Sequence, residues 1–225
     1  FPAGKLAYST VDGKNYGVPF DNGAVIGAYR TDILEQAGYT TADLTDIDWN
    51  RFIEIGKDVK AKTGAYMLSG QADSPDTIMM ILQSAGASLF DEDGKPAMTD
   101  NAALKECIDI YKTMVDEGIY LEVNKWDDYV TSITKGTVAG VINGNWIIAT
   151  IQGMEDTAGK WQITNMPKLI KTPNATNYSN NGGSSWYITS NCKNKDLAID
   201  FLKSTFAGSV ELYDNILEST GAIAT

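Results

Sequence analysis

Asp21 and Asn22 stand in the polar break of Tyr16-Gly-Val-Pro-Phe-Asp-Asn-Gly-Ala-Val-Ile-Gly-Ala-Tyr-Arg-Thr-Asp-Ile-Leu-Glu-Gln-Ala-Gly38, between two apolar stretches. A carboxylate beside a carboxamide, where the chain leaves a strand, can take paired hydroxyl groups at the mouth of a cleft. The same Asp-Asn-Gly would also close an Asx turn, and the two roles are compatible. A second polar group, Asp73, Ser74, Asp76 and Thr77, gathers around Pro75. Helix starts of this kind present free N–H groups and favour oxygen ligands, although capping alone accounts for Ser74. Three tryptophans complete the set: Trp146 after Asn143-Gly-Asn145, Trp186 after Gly182-Gly-Ser-Ser, and Trp126 in the polar Asn-Lys-Trp-Asp-Asp. An indole so placed can stack on the apolar C–H face of a polyhydroxyl ring while polar neighbours take its hydroxyls. Packing is the competing role for each. It is the role expected of Trp49, at the head of an apolar helical stripe, and of Trp161, in a strand.

Composition removes several chemistries. The chain of 225 residues has no histidine, which excludes Ser-His-Asp triads, imidazole bases and histidine zinc sites. Cys107 and Cys192 fit neither a zinc motif nor a disulfide framework and are expected to be free thiols. No metal site, cofactor or catalytic residue is expected. The net charge of −11 opposes nucleic acid. No apolar run reaches the length of about 18 residues that spans a bilayer, and no signal peptide is visible at Phe1-Pro-Ala-Gly-Lys. Many carboxylates are present, but no motif pairs two of them as glycoside hydrolysis requires.

These residues must be positioned by alternating strands and helices, an α/β or α+β pattern. Val25, Gly27 and Tyr29 fit a strand, after which Thr31 is expected to cap a helix that Gly38 ends. Asp48 caps a helix over 49–62 with Phe52, Ile55 and Val59 on one face. A short strand is predicted at 66–68, a helix starting at Ser74-Pro75, and a hairpin about Asp93-Gly94 within 89–98. Asp100 opens an amphipathic helix with the stripe Leu104, Ile108, Tyr111 and Val115, stopped by Gly118. Further elements are a helix over 127–135, strands at 138–142, 161–165 and 184–189, and helices following Trp146, over 195–205 and over 209–217. The Asn/Thr/Ser-rich run 171–183 is a loop.

Four stretches together resemble one family. They are the opening segment quoted above, Lys135-Gly-Thr-Val-Ala-Gly-Val-Ile-Asn-Gly-Asn-Trp146, Asn181-Gly-Gly-Ser-Ser-Trp-Tyr-Ile188 and Cys192-Lys-Asn-Lys-Asp-Leu-Ala-Ile-Asp-Phe-Leu202. Each is weak alone, but in this order they resemble the bacterial extracellular solute-binding proteins, the sugar-binding group of ABC importers that includes maltose-binding protein. The resemblance implies a periplasmic-binding-protein-like (type II) two-lobe α/β fold, present mostly as the second lobe with part of the first. Residues 1–20 would be a fragment of lobe one, 21–178 lobe two, and 179–225 a return segment of lobe one. Compared with the family pattern, the first part of lobe one and a carboxy-terminal portion are absent, so a fragment is expected.

The function that the resemblance implies is capture of a carbohydrate, an oligosaccharide in particular, by closure of two lobes and its delivery to the permease subunits. It implies no enzyme activity, and a periplasmic or lipid-anchored cell-surface location. The resemblance also places Trp146 where it would stack on sugar, and the full set of candidate ligand contacts is Phe20, Asp21, Asn22, Asp73, Asp76, Trp126, Asn145, Trp146, Gly183, Ser184 and Trp186, with Gly23, Gly182 and Gly183 as candidate hinge residues. Asp21, Asp73, Asp76 and Asp127 keep a non-sugar solute such as a polyamine or peptide as the alternative. Strand 184–189 would normally pair with absent strands, and unpaired edges would let the fragment dimerise.

Overall fold

The computed structural model describes Phe1 and residues 3–220. In chain order, α1 (Ala3–Ala7) precedes the short strands β1 (Thr10–Val11), β2 (Lys14–Asn15) and β3 (Gly17–Pro19). Next come β4 (Val25–Arg30), α2 (Thr31–Ala37), α3 (Trp49–Thr63), β5 (Leu68–Gln71) and α4 (Asp76–Gln83). α5 (Ala102–Asp116), β6 (Tyr120–Val123), α6 (Trp126–Thr134), β7 (Gly140–Gly144) and α7 (Ile147–Gln152) follow. β8 (Trp161–Thr164), β9 (Ser185–Tyr187), α8 (Lys195–Ser204) and α9 (Val210–Thr220) are the last elements of the described residues. Two compact units result: residues 1–23, 145–149 and 182–225 form one, and residues 24–144 and 150–181 the other.

The larger unit, 24–144 with 150–181, is built on β4. This strand pairs antiparallel with β7 on one side (Val25 opposite Gly144) and with β8 on the other (Arg30 opposite Trp161). Its mostly buried sequence, Val25 to Arg30, is what a central strand needs. β5 and β6 pair in parallel, Leu68 with Tyr120 through Gln71 with Val123. Trp49, Phe52, Ile55 and Val59 on α3 are essentially buried and pack with Tyr29, Leu34, Met67, Ile81 and Met114 in one core. Asp48 caps α3 as expected, its Oδ1 accepting from Arg51 N at 2.9 Å.

Several local expectations are corrected. Thr31 is the first residue of α2 and Arg30 occupies the cap without a side-chain bond, because Thr31 is drawn onto Lys160 O. The strand expected at 66–68 lies at 68–71, and Tyr66 makes only an isolated bridge to Val138. Around Asp93-Gly94 there is no two-stranded hairpin but a single bridge, Phe90 with Pro96; Asp91 Oδ1 takes the N–H groups of Asp93 and Lys95 and closes a tight loop instead. Asn101, not Asp100, caps α5, accepting from Leu104 N at 3.0 Å. The buried face of α5 is Ala103, Glu106, Cys107, Ile110 and Met114, about one residue out of phase with the expected stripe, and Ile108 is exposed.

In the smaller unit, β3 pairs antiparallel with β9, Gly17 opposite Tyr187 and Pro19 opposite Ser185. The strand expected to lack its partners therefore has one within this chain. Cys107 is buried, Cys192 is partly exposed, and both are free thiols.

Candidate functional site

The polar candidates that come together most closely do so in the larger unit. Ser69, Gly70 and Gln71 at the end of β5, Ser74, Asp76 and Thr77 at the head of α4, Trp126 and Tyr129 on α6, and Asn143 on β7 line one concave pocket with Met80 and Ile142. The local reasons are legible. α4 begins at Asp76 with Pro75, not Ser74, at the cap; Ser74 Oγ accepts from Asp76 N at 3.2 Å and closes the turn before it instead of capping the helix. Gly70 is required for the wall, since a Cβ there would overlap the Tyr120 hydroxyl. That hydroxyl instead bonds Thr77 Oγ1 at 2.8 Å.

The wall is backed by polar pairs. Ser69 Oγ and Ser132 Oγ are 2.6 Å apart, and Ser132 Oγ donates to Tyr129 O at 2.7 Å. Asn143 Nδ2 donates to the Tyr129 hydroxyl at 2.9 Å, while Asn143 Oδ1 accepts from Gly144 N and Asn181 Nδ2, both at 2.8 Å. Burial pushes the Tyr129 hydroxyl above the usual tyrosine range and the Tyr120 hydroxyl to about 12, so both stay protonated at neutral pH. Trp126, 44% exposed, tilts against the Tyr129 ring with centroids 5.3 Å apart. Polar groups that fix hydroxyls, beside an exposed indole, form a surface suited to a neutral polyhydroxyl ring. Asp76 is the one carboxylate among the described lining residues, which disfavours a polycation.

Of the sequence candidates in this unit, Asp76 and Trp126 line the pocket, whereas Asp73 is exposed and does not. Asp127 is exposed on α6 and is likewise off the lining. The sequence reading missed Ser69, Gln71, Tyr129 and Asn143. Asn143 lies within the Lys135–Trp146 stretch, and its place near the end of a buried strand is the signal that marks it. Ser69 and Gln71 carried none, because the strand register was set two residues early.

The remaining candidates belong to the smaller unit. Ser184 donates to Asp21 Oδ1 through both N and Oγ, each at 2.5 Å, and Lys5 Nζ donates to Asp21 O. Asp21 thus works as a latch at the end of the β3–β9 ladder. Asn22 is half-buried beside it, ahead of the buried Gly23. Phe20 packs edge-on against Trp186 and Phe206, both at 5.5 Å, and stacks with Tyr213 at 6.5 Å. Gly182 and Gly183 have φ of +101° and +102°, a region that favours glycine, and a Cβ at 182 would lie 3.3 Å from Trp146 Nε1. Asn145 is buried, and its Oδ1 has no hydrogen-bond partner among the described residues. Such an acceptor is costly to bury unsatisfied.

Of the two tryptophans expected to be structural, Trp49 is 1% exposed. Trp161 is only half-buried, lying under the Arg30 guanidinium and donating to Thr157 Oγ1 at 3.1 Å. No group of cysteines and carboxylates able to hold a metal is present among the described residues, and no described helix is long and apolar enough to cross a membrane.

Known proteins share this architecture. A lactose-binding protein from Rhizobium radiobacter is 42% identical over 221 residues, covering 98% of this chain and 52% of that protein. The binding protein associated with an ABC transporter of B. animalis subsp. lactis Bl-04, solved with beta-1,6-galactobiose, superposes with a TM-score of 0.82 at 22% identity, over 100% of this chain and 55% of that one. The galacto-N-biose-/lacto-N-biose I-binding protein of Bifidobacterium longum, solved with lacto-N-biose, gives 0.78 at 25% identity, over 100% and 54%. The chain thus spans about half the length of these relatives. A family model for bacterial extracellular solute-binding proteins matches residues 1–224, and the chain belongs to that family.

Proposed function

We propose that this chain is the carbohydrate-capturing part of the solute-binding component of an ABC importer. The observation that carries this reading is the pocket of the larger unit, where the exposed Trp126 indole stands beside hydroxyl, amide and carboxylate groups. The name of the 42% identical relative agrees with it. The ligand is a neutral oligosaccharide: a ring stacks on Trp126 and its hydroxyls bond Asp76, Gln71 and the Ser69–Tyr129–Asn143 wall. Asn145, Trp146, Gly183, Ser184, Trp186, Asp21, Asn22 and Phe20 are further proposed contacts, and Asp73 a peripheral one. Gly23, Gly182 and Gly183 are proposed hinges, standing at the sequence boundaries of the two compact units. Ligand binding would favour closure because the closed state gains contacts that the open state lacks. The whole protein works outside the cell, in the periplasm or as a lipoprotein, and hands its sugar to the permease; it carries out no chemistry.

The test is calorimetry with lactose, other disaccharides and spermidine. A sugar that binds, with spermidine silent, supports the reading. Spermidine binding alone would transfer the site to a cationic solute.

A further inference from the structure

Two hydroxyl protons behind the pocket have directions that follow from their neighbours. Ser132 does not line the pocket, and its hydroxyl lies 2.7 Å from the Tyr129 carbonyl, which can only accept. Its single proton is therefore committed there. Ser69 and Ser132 are 2.6 Å apart, so the proton between them must come from Ser69. Ser69, its proton engaged, faces the pocket as an acceptor only.

The opposite assignment holds next door. Gly144 N can only donate, which fixes the Asn143 end it touches as Oδ1, and Asn181 Nδ2 donates to the same oxygen. The other end of Asn143 is then Nδ2, and it donates to the Tyr129 oxygen at 2.9 Å. The phenol proton of Tyr129 points elsewhere, and no protein acceptor receives it among the described residues. Tyr129 lines the pocket and is 4% exposed. Its O–H, with the second Asn143 Nδ2 proton, supplies donors to the same pocket that Ser69 lines as an acceptor.

We propose that Ser132 and Asn143 are positioning residues that set a fixed donor–acceptor polarity in this wall. Ser69 accepts from a ligand hydroxyl, and Tyr129 donates to a ligand oxygen. Resting on the carbohydrate reading, this names the recognised unit: a neighbouring pair of hydroxyl oxygens, one giving its proton and the other receiving one. An ammonium ion, which only donates, satisfies Ser69 and leaves Tyr129 facing a second donor, so the wall selects against polyamines.

The experiment has two arms on the full chain. In ligand-free protein, buried hydroxyl protons are assigned by NMR with labelled serine and tyrosine. The expected result is the Ser132 proton on the Tyr129 carbonyl, the Ser69 proton on Ser132, and the Tyr129 proton off Asn143. A Tyr129 proton shared with Asn143, or a Ser69 proton directed into the pocket, overturns the proposal. In the second arm, lactose and its monodeoxyfluoro analogues are titrated into wild type and Ser132→Ala. Fluorine accepts but cannot donate, so one analogue should lose about tenfold or more in wild type, and regain most of it once Ser132→Ala frees the Ser69 proton. Ser69→Ala should abolish the discrimination. Sugar binding with the same analogue ratios in wild type and both variants overturns the proposal. Lactose failing to bind, with the NMR result as expected, removes the carbohydrate reading and leaves the polarity standing.

Discussion

Two tryptophans of the candidate set differ in what their rings touch, and so in what their loss should do. Trp126 tilts against the Tyr129 ring with centroids 5.3 Å apart and is 44% exposed at the pocket. Trp186 lies among aromatic rings, 5.5 Å from Phe20 and 4.9 Å from Phe206. Trp126→Ala should therefore weaken sugar binding by about 1–2 kcal/mol, roughly tenfold, while moving the melting temperature little. Trp186→Ala should lower stability by about 1–3 kcal/mol whatever it does to affinity. Calorimetry and thermal unfolding of both variants decide this; a Trp126→Ala protein with wild-type affinity removes the indole from the site. Gly70 offers a third residue-scale check. A methyl there displaces the Tyr120 hydroxyl and with it the Thr77 hydroxyl on the pocket wall, so Gly70→Ala should reduce both stability and affinity.

Among the elements, α5 shows a side chain overriding a sequence pattern. Its buried face includes Glu106, 7% exposed, which holds the loop after β8: Oε1 accepts from Ile170 N and Lys171 N, each at 2.9 Å, and Oε2 from Thr172 Oγ1 at 2.8 Å. Burial works against the charge, but these bonds outweigh it and hold the carboxyl below its ordinary value of 4.5. A folded value below the unfolded one means that this stabilisation is fully present above the unfolded value, and is lost as pH falls through the folded one. Urea unfolding should thus show a loss of stability below about pH 4.5 that is smaller in Glu106→Gln, a variant already destabilised at pH 7 by about 1–3 kcal/mol. Parallel acid limbs in the two proteins would deny Glu106 this role.

The same helix shows why elements were easier to read than faces. Leu104, Ile108, Tyr111 and Val115 are apolar at helical spacing, so the helix was legible, its cap misplaced by one residue. The true phase follows Ala103, Cys107, Ile110 and Met114, a second apolar stripe one residue earlier, and Glu106 joins that buried face because the loop's N–H groups bind it. The start of α4 beside Pro75 was readable to within one residue because turn chemistry is local, although Pro75 and not Ser74 takes the cap. Tyr129, Ser69 and Ser132 were not, because their roles rest on contacts between separate strands and helices. Asp21 was readable as a polar junction; its bonds to Ser184 come from pairing across most of the chain.

At the scale of the molecule, the two units differ sharply in what they bury. The buried hydrophobic side chains among the described residues lie in the larger unit with the exception of Ile147. The smaller unit keeps Tyr8, Tyr16, Trp186, Tyr187, Leu197, Phe201 and Val210 exposed, and α8 has no buried residue despite its amphipathic sequence. Local stability follows buried apolar contact, so regions that bury little open at low cost. The chain should therefore not unfold as one cooperative body. Native-state hydrogen exchange should find the amides of β4, β7 and α3 protected to near the global unfolding free energy. Those of α8 and α9, which bury far less apolar surface, should exchange through openings that cost several kcal/mol less. The β3–β9 ladder sets the informative middle case: its hydrogen bonds and the Asp21–Ser184 latch tie distant parts of the sequence, and Trp186 packs on Phe20 and Phe206, but Trp186 and Tyr187 both stay exposed. Its amides should follow α8 if burial governs protection, and β4 if hydrogen bonding alone suffices. We expect the former, and equal protection across β3, β4 and α8 would show that the smaller unit draws its stability from something other than its own core.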